Sequence, residues 1–229
     1  MIKFLDVGYL INCRHKIKQK DRLVVTSCVL KVIRHKIEKG LHLFLERFEI
    51  IRDFVLKYYS NISGERRRRS TKEIAKKMVQ LLELKGYADV AFLFRVIARY
   101  YIRDLEEHME ETLLRWLSSK VSPISYIVYL RNYFKKQKNY LVFPDKVVDS
   151  IRKELQQNNI EIAEIDDREL WLDLDSGTDR EDRYQLLCIK KYMHNHDIPE
   201  ARLLTTDHRL PNTAQPFENI KVEVVECQA

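Results

Sequence analysis

The sequence predicts an α/β protein: a parallel sheet flanked by helices, assembled from both ends of the chain around a large central helical insertion. Three observations lead there. Short apolar runs near both termini alternate with amphipathic segments, the pattern of strand–helix–strand units. The stretch between them has helical periodicity almost throughout. The 229 residues include only five Gly and five Pro, too few turn formers for an all-β chain.

Taken in order, Ile2-Lys3-Phe4-Leu5 reads as a short buried strand ending at Asp6, and Arg22-Leu23-Val24-Val25-Thr26 as a second, with a helical segment between them. After Ser27, the residues Val29, Leu30, Ile33 and Ile37 recur at helical spacing, and Gly40 reads as the stop. Residues 41 to about 138 predict four helices, with breaks at 60–70, near Gly86 and at Ser122-Pro123. Tyr140-Leu141-Val142-Phe143 reads as a strand, followed by Pro144-Asp145, an amphipathic helix to Gln157 and a strand over 160–165. Beyond an acidic loop, a helix is expected over Arg180–Asn195, then strands over Ala201–Thr205 and 220–225. The expected division is an α/β domain from 1–60 and 140–229, with a helical insertion over 61–139.

Lys and Arg number 41 against 34 Asp and Glu, a formal net charge of +7, which points to a polyanionic partner, nucleic acid first. The excess is unevenly spread. Residues 1–80 hold 20 basic and 8 acidic side chains, a net of +12, whereas 145–185 hold 6 and 13, a net of −7. The run Arg66-Arg67-Arg68-Arg69 reads as a solvated loop ahead of a helix start, suited to phosphate contacts or to a localisation signal. Cys13, Cys28, Cys188 and Cys227 lie far apart, without zinc spacing, so a reducing compartment is expected. No secretory apolar segment opens the sequence, and Arg95, Arg99 and Arg103 interrupt its most hydrophobic region. The expectation is an intracellular protein, cytoplasmic or nuclear, with no membrane partner.

Three acids occupy equivalent places: Asp6 just past the first strand, Asp207 just past Leu203-Leu204-Thr205, and Asp182 in the first turn of the helix after the acidic loop. In an open parallel sheet, ligands bind outside the carboxyl ends of the strands, so acids distant in sequence can meet there. Crowded carboxylates repel unless a cation separates them, and hard oxygen donors suit Mg²⁺ or Mn²⁺. Such an ion activates water and neutralises charge on a phosphodiester, while the surrounding Lys and Arg hold the nucleic-acid backbone.

These residues resemble the PIN-domain ribonucleases. Phe4-Leu5-Asp6-Val7-Gly8-Tyr9-Leu10-Ile11 looks like the family's first strand, acid and apolar helix start, and the stretch 24–34 like its second strand and helix. Asp179-Arg180-Glu181-Asp182-Arg183 is similar to the Asp-Arg-x-Asp-Arg run in the PIN nuclease of the exosome catalytic subunit, and Leu203-Leu204-Thr205-Thr206-Asp207 to the final strand. The resemblance covers roughly 1–60 and 160–226, and implies a divalent-metal-dependent endonuclease hydrolysing single-stranded or structured RNA. Asp6, Asp182 and Asp207 would be its catalytic metal ligands, with Asp179 a further ligand or a support. Thr205 and Thr206 would donate hydrogen bonds to a carboxylate or phosphate, or simply form the turn. Arg180 and Arg183 would hold phosphate or pair with neighbouring acids. Two positions depart from the family: Gly8 stands where Asn is usual and Val32 where Glu is usual, so one ligand is missing unless Asp179, or less readily Glu38, replaces it. The alternatives are an inactive PIN-like RNA-binding protein and a helical scaffold or assembly factor.

Other motifs carry less. His194-Asn195-His196 cannot share a helix face and reads as a helix end. Cys188 reads as core, and no Gly-rich phosphate loop is present. The central aromatics, among them Phe92, Phe94, Tyr100, Tyr101, Trp116, Tyr126, Tyr129, Tyr133 and Phe134, read as a helical core with arginines outside. The insertion could still recognise substrate, dock a protein partner or form a homodimer.

Overall fold

The structure, a computed structural model, describes residues 2–13, 22–60, 71–101, 123–168, 170 and 180–227. Five strands form one sheet: β1 (Ile2–Leu5), β2 (Arg22–Thr26), β3 (Glu161–Ala163), β4 (Ala201–Thr205) and β5 (Ile220–Val224). Their order is β3-β2-β1-β4-β5 and every pairing is parallel. Burial follows position. The inner strands carry continuous apolar runs, with Phe4, Leu5, Val24, Val25, Leu203 and Leu204 all buried, as expected where helices cover both faces. The edge strand β5 instead alternates, exposing Lys221 and Glu223 beside buried Ile220.

The chain divides into two units, residues 1–33 with 148–229, and residues 34–147. The boundaries fall inside two long helices, α2 (Ser27–Glu46) and α7 (Gln137–Gln157). They therefore differ from the division at 60 and 140 expected from sequence, because both helices run on past the residues that serve the sheet. In the first unit, α1 (Val7–Asn12) packs on β4, while α8 (Arg180–Asn195) packs on β2 and on the short α9 (Leu210–Thr213). Its buried residues include Phe4 of β1, Tyr184, Leu186 and Ile189 of α8, and Val29, Val32 and Ile33 of α2.

The second unit is helical: the rest of α2, then α3 (Phe48–Ser60), α4 (Thr71–Leu84), α5 (Ala88–Val96) continued by a π turn (Ile97–Tyr101), α6 (Pro123–Lys135) and the first half of α7. Phe44 meets Phe48 and Phe94 edge-on, and Phe94 meets Tyr126, so these aromatics are core. Arg131 lies over the Phe48 ring at 4.2 Å with its charge on Glu49. Trp116 lies outside the described residues.

Two expectations fail here. Gly40 does not stop α2: a Cβ at that position would lie 2.5 Å from the Asp89 carbonyl oxygen and 3.0 Å from Leu93 Cβ, so this glycine lets α2 and α5 approach closely. Residues 140–143 are helix, not strand. Phe143, Val147, Ile151 and Leu155 recur every fourth residue and all are buried, whereas Leu141 is 59% exposed. That period extends α7 through Pro144. The break near Gly86 is present, with Gly86 at φ +77°, and residues 61–70, including Arg66 to Arg69, lie outside the described residues.

Candidate functional site at the carboxyl edge of the sheet

The strand order reverses direction at β1: β2 and β3 lie on one side, β4 and β5 on the other. The crevice outside the carboxyl ends of β1 and β4 is therefore the topological switch point, where open parallel sheets hold ligands. Asp6 stands there. Its backbone continues the ladder, donating to the Leu204 carbonyl at 3.0 Å, and its side chain caps α1 by accepting from the Gly8 amide at 3.0 Å. The Thr205 hydroxyl donates to the same Asp6 Oδ2 at 2.7 Å and accepts from the Asp207 amide at 2.9 Å. One buried threonine thus ties two of the expected acids together. Asp6 is 4% exposed and Thr205 fully buried.

Strand register explains this meeting. Leu5 is level with Leu204 and Phe4 with Val24, so one step further Asp6 is level with Thr205, and two steps from Val24 brings Thr26 into the same row. Side chains level on adjacent parallel strands share a face. The Phe4 ring meets Tyr192 of α8 edge-on at 5.4 Å, so the face shared by Phe4 and Asp6 is the one that α8 covers.

The acids differ in their surroundings. Asp207 is half-buried, and both of its oxygens accept from Arg209, from Nε at 3.2 Å and Nη2 at 2.9 Å. Asp182 occupies the first turn of α8, half-buried, with exposed Arg180 and Arg183 on either side. Asp179 lies outside the described residues. Glu38 pairs with Arg34 in the helical unit, and Val32 is fully buried among apolar residues, so the second helix brings no carboxylate to this edge. Gly8 has a steric reason: a Cβ would stand 2.6 Å from Thr206 Oγ1 and 3.1 Å from Asp6 Oδ2. Thr206 accepts from the Asn12 amide at 3.0 Å, which fastens the end of α1 to the end of β4.

A fourth acid was hidden in the acidic run. Asp167, past β3, is 5% exposed; it accepts from Lys31 Nζ at 2.6 Å and from the Tyr184 hydroxyl. Burial pushes its carboxyl up, but these two hydrogen bonds and the Lys31 charge outweigh burial and hold it below the ordinary range. Its neighbour Ser27 accepts from the Ile165 amide at 3.0 Å. In sequence, Asp167 directly follows Asp166 in an acidic stretch, and only the apolar Ile165 two residues before it marks a buried side.

All four cysteines pair: Cys13 with Cys227 and Cys28 with Cys188, with Cα separations of 5.3 and 6.5 Å. Partners 214 and 160 residues apart in sequence are invisible to spacing rules. Disulfides belong to oxidising surroundings, so a reducing compartment does not follow from the cysteines.

The donors at this edge are carboxylate, hydroxyl and amide oxygens, which suit a hard divalent cation in kind. Among the described residues, no three His, Cys, Asp or Glu side chains converge closely enough to hold an ion alone. An ion beside Asp6 would draw on neutral oxygens or on acids that turn inward. Among the described residues, no helix is long and apolar enough to cross a membrane. No protein-family model, curated protein or solved structure matches this chain.

Proposed function

We propose that the protein is a PIN-like, divalent-metal-dependent ribonuclease that hydrolyses RNA phosphodiester bonds at the carboxyl edge between β1 and β4. The observation that carries this reading is the buried Asp6 carboxylate at the switch point, joined through Thr205 to the start of the Asp207 turn. A carboxylate held by Thr205 and the Gly8 amide at the carboxyl end of β1 presents a hard anionic oxygen where open parallel sheets hold their ligands, and a divalent cation is a ligand that it would take.

Asp6, Asp182 and Asp207 would hold the ion, with Asp179 alongside. When bound, Mg²⁺ or Mn²⁺ supplies an activated water and neutralises charge on the phosphodiester. The chain's own groups do the rest. Thr205 fixes the orientation of Asp6, as its hydroxyl donates to one carboxylate oxygen. Arg209, an exposed side chain held by Asp207, would exchange that carboxylate for a substrate phosphate and so release Asp207 toward the ion. Arg180 and Arg183 would hold the RNA backbone.

Incubation of labelled single-stranded RNA with Mg²⁺ or Mn²⁺ tests the reading. Cleavage should vanish with chelator and in Asp6→Asn and Asp207→Asn. Equal cleavage in every sample would expose a contaminant and remove the proposal. A second reading, an RNA-binding protein without activity, is favoured by Asp207 having both oxygens on Arg209; it predicts salt-sensitive RNA binding with no cleavage.

A further inference from the structure

Two polar side chains near the Asp6 row are buried without a partner. Thr26 is 1% exposed and Gln185 3%, yet neither Thr26 Oγ1 nor Gln185 Oε1 has a hydrogen bond within the protein. Such atoms ordinarily find partners, and leaving one alone is costly. Both are oxygens. Thr26 ends β2 level with Asp6, on the face covered by α8. Gln185 lies on α8 one turn before Cys188, whose bridge to Cys28 holds this helix against the residues that follow Thr26. An anionic carboxylate and one unsatisfied neutral oxygen thus share a row at the carboxyl ends of β1 and β2, and a second unsatisfied oxygen lies one helical turn from a bridge anchored two residues beyond Thr26.

We infer that Thr26 Oγ1 and Gln185 Oε1 are neutral oxygen ligands that join Asp6 in holding a divalent cation at the carboxyl edge of the sheet. Hard cations accept hydroxyl and amide oxygens beside carboxylates. The inference explains how a cation can be held where the described residues supply no triple cluster of acids, and where the second helix presents buried Val32 instead of a carboxylate. It rests on the ribonuclease reading for the place and kind of ion, but its test needs no RNA. Gln185 would bind through its carbonyl oxygen, leaving its amide to donate elsewhere, and Thr26 would bind through an oxygen lone pair.

The experiment is Mn²⁺ titration of the full chain, read by thermal shift and by the paramagnetic resonance signal of bound Mn²⁺. The variants are Asp6→Asn, Thr26→Val, Gln185→Leu and Gln185→Glu, with Glu161→Gln at the opposite edge as control. Asp6→Asn should abolish binding. Thr26→Val and Gln185→Leu should weaken it about tenfold each, and Gln185→Glu should tighten it about tenfold by adding a charge. Midpoints without metal identify any variant that fails to fold, and the opposite responses of Gln185→Leu and Gln185→Glu separate ligation from packing. Binding lost in Asp6→Asn but unchanged in Thr26→Val and Gln185→Leu would overturn the inference and leave the ribonuclease reading intact. The expected binding pattern without RNA cleavage would uphold the inference and end that reading. No Mn²⁺ binding by the natural sequence would end both.

Discussion

The two ends of the sheet are built from the same strands and differ in how completely their polar groups are matched. At the amino end, Arg22 of β2 donates to Glu161 of β3 at 2.9 Å, and the Tyr192 hydroxyl donates to the other Glu161 oxygen at 2.6 Å. Burial pushes the Glu161 carboxyl up, but the bonds from Tyr192 and Arg22 outweigh it, and the same contact raises the Tyr192 phenol beyond what burial alone would do. Each charge there has its answer within the fold. At the carboxyl end, Asp6 is buried and Thr26 and Gln185 are left unmatched. The amino-end cluster is partly exposed and answers its own charges, whereas the two oxygens at the carboxyl end are buried and unanswered within the protein. A shallow depression lined by His194, Asp197, Pro199 and Phe217 also lies toward the amino end, away from where parallel sheets place their ligands.

The largest expected effect separates the ends by activity. Asp6→Asn should lower RNA cleavage at least about 10³-fold, roughly 4 kcal/mol of barrier, while Glu161→Gln should leave it unchanged and cost under about 1 kcal/mol of stability. Parallel losses in both variants would dissolve the contrast. Next come the disulfides. Cys28 follows β2 and Cys227 follows β5, so both bridges staple the carboxyl side of the sheet. Closing spans of 160 and 214 residues, each should contribute about 4 kcal/mol by limiting the unfolded chain. Denaturant midpoints with and without reductant measure this, and unchanged midpoints would show the bridges unformed in solution.

A smaller effect follows from Asp167. Its carboxyl is held below the ordinary value, so its contribution is present at neutral pH and is lost as pH falls from the ordinary carboxylate range through the depressed folded value. Asp167→Asn should cost about 2 kcal/mol at pH 7, where Lys31 and Tyr184 lose an ionised acceptor, and progressively less below about pH 4. A cost that grew on acidification would reverse the assigned sign.

What was legible in the sequence was whatever depends on local order. The strand Ile2–Leu5 ending at Asp6, the helix Arg180–Asn195 and the strand Ala201–Thr205 were readable because apolar period and polar stops lie within a few residues. Residues 140–143 misled for the opposite reason: four apolar or aromatic residues before a proline look like a strand until Val147, Ile151 and Leu155 are counted with Phe143. The site was half legible. Asp6 and Asp207 stood at strand ends, but the link through Thr205, the burial of Asp167 and the pairing of Thr26 with the Asp6 row depend on which strands become neighbours. Residues some 200 positions apart acquire that relation only through strand order, and nothing in their local sequence encodes it.

Gly8 gives the smallest and most local test of the carboxyl edge. Read from sequence, it was a departure from the family's Asn; in the structure it is the gap that admits Thr206. Any Cβ would stand 2.6 Å from Thr206 Oγ1, closer than side chains pack, yet that obstacle is a hydroxyl that can rotate away, and Asp6 Oδ2 at 3.1 Å need give only slightly. Gly8→Asn should therefore cost only about 1 kcal/mol, the low end of overpacking, with the Asn12–Thr206 hydrogen bond as its main casualty. In a double-mutant cycle with Asn12→Ala, the two costs should fail to add, because either change alone removes the same contact. Strict additivity would mean that Thr206 stays in place and that position 8 is relieved by backbone movement. The close approach of α1 to β4 would then be a consequence of Gly8 and no part of what orients Asp6.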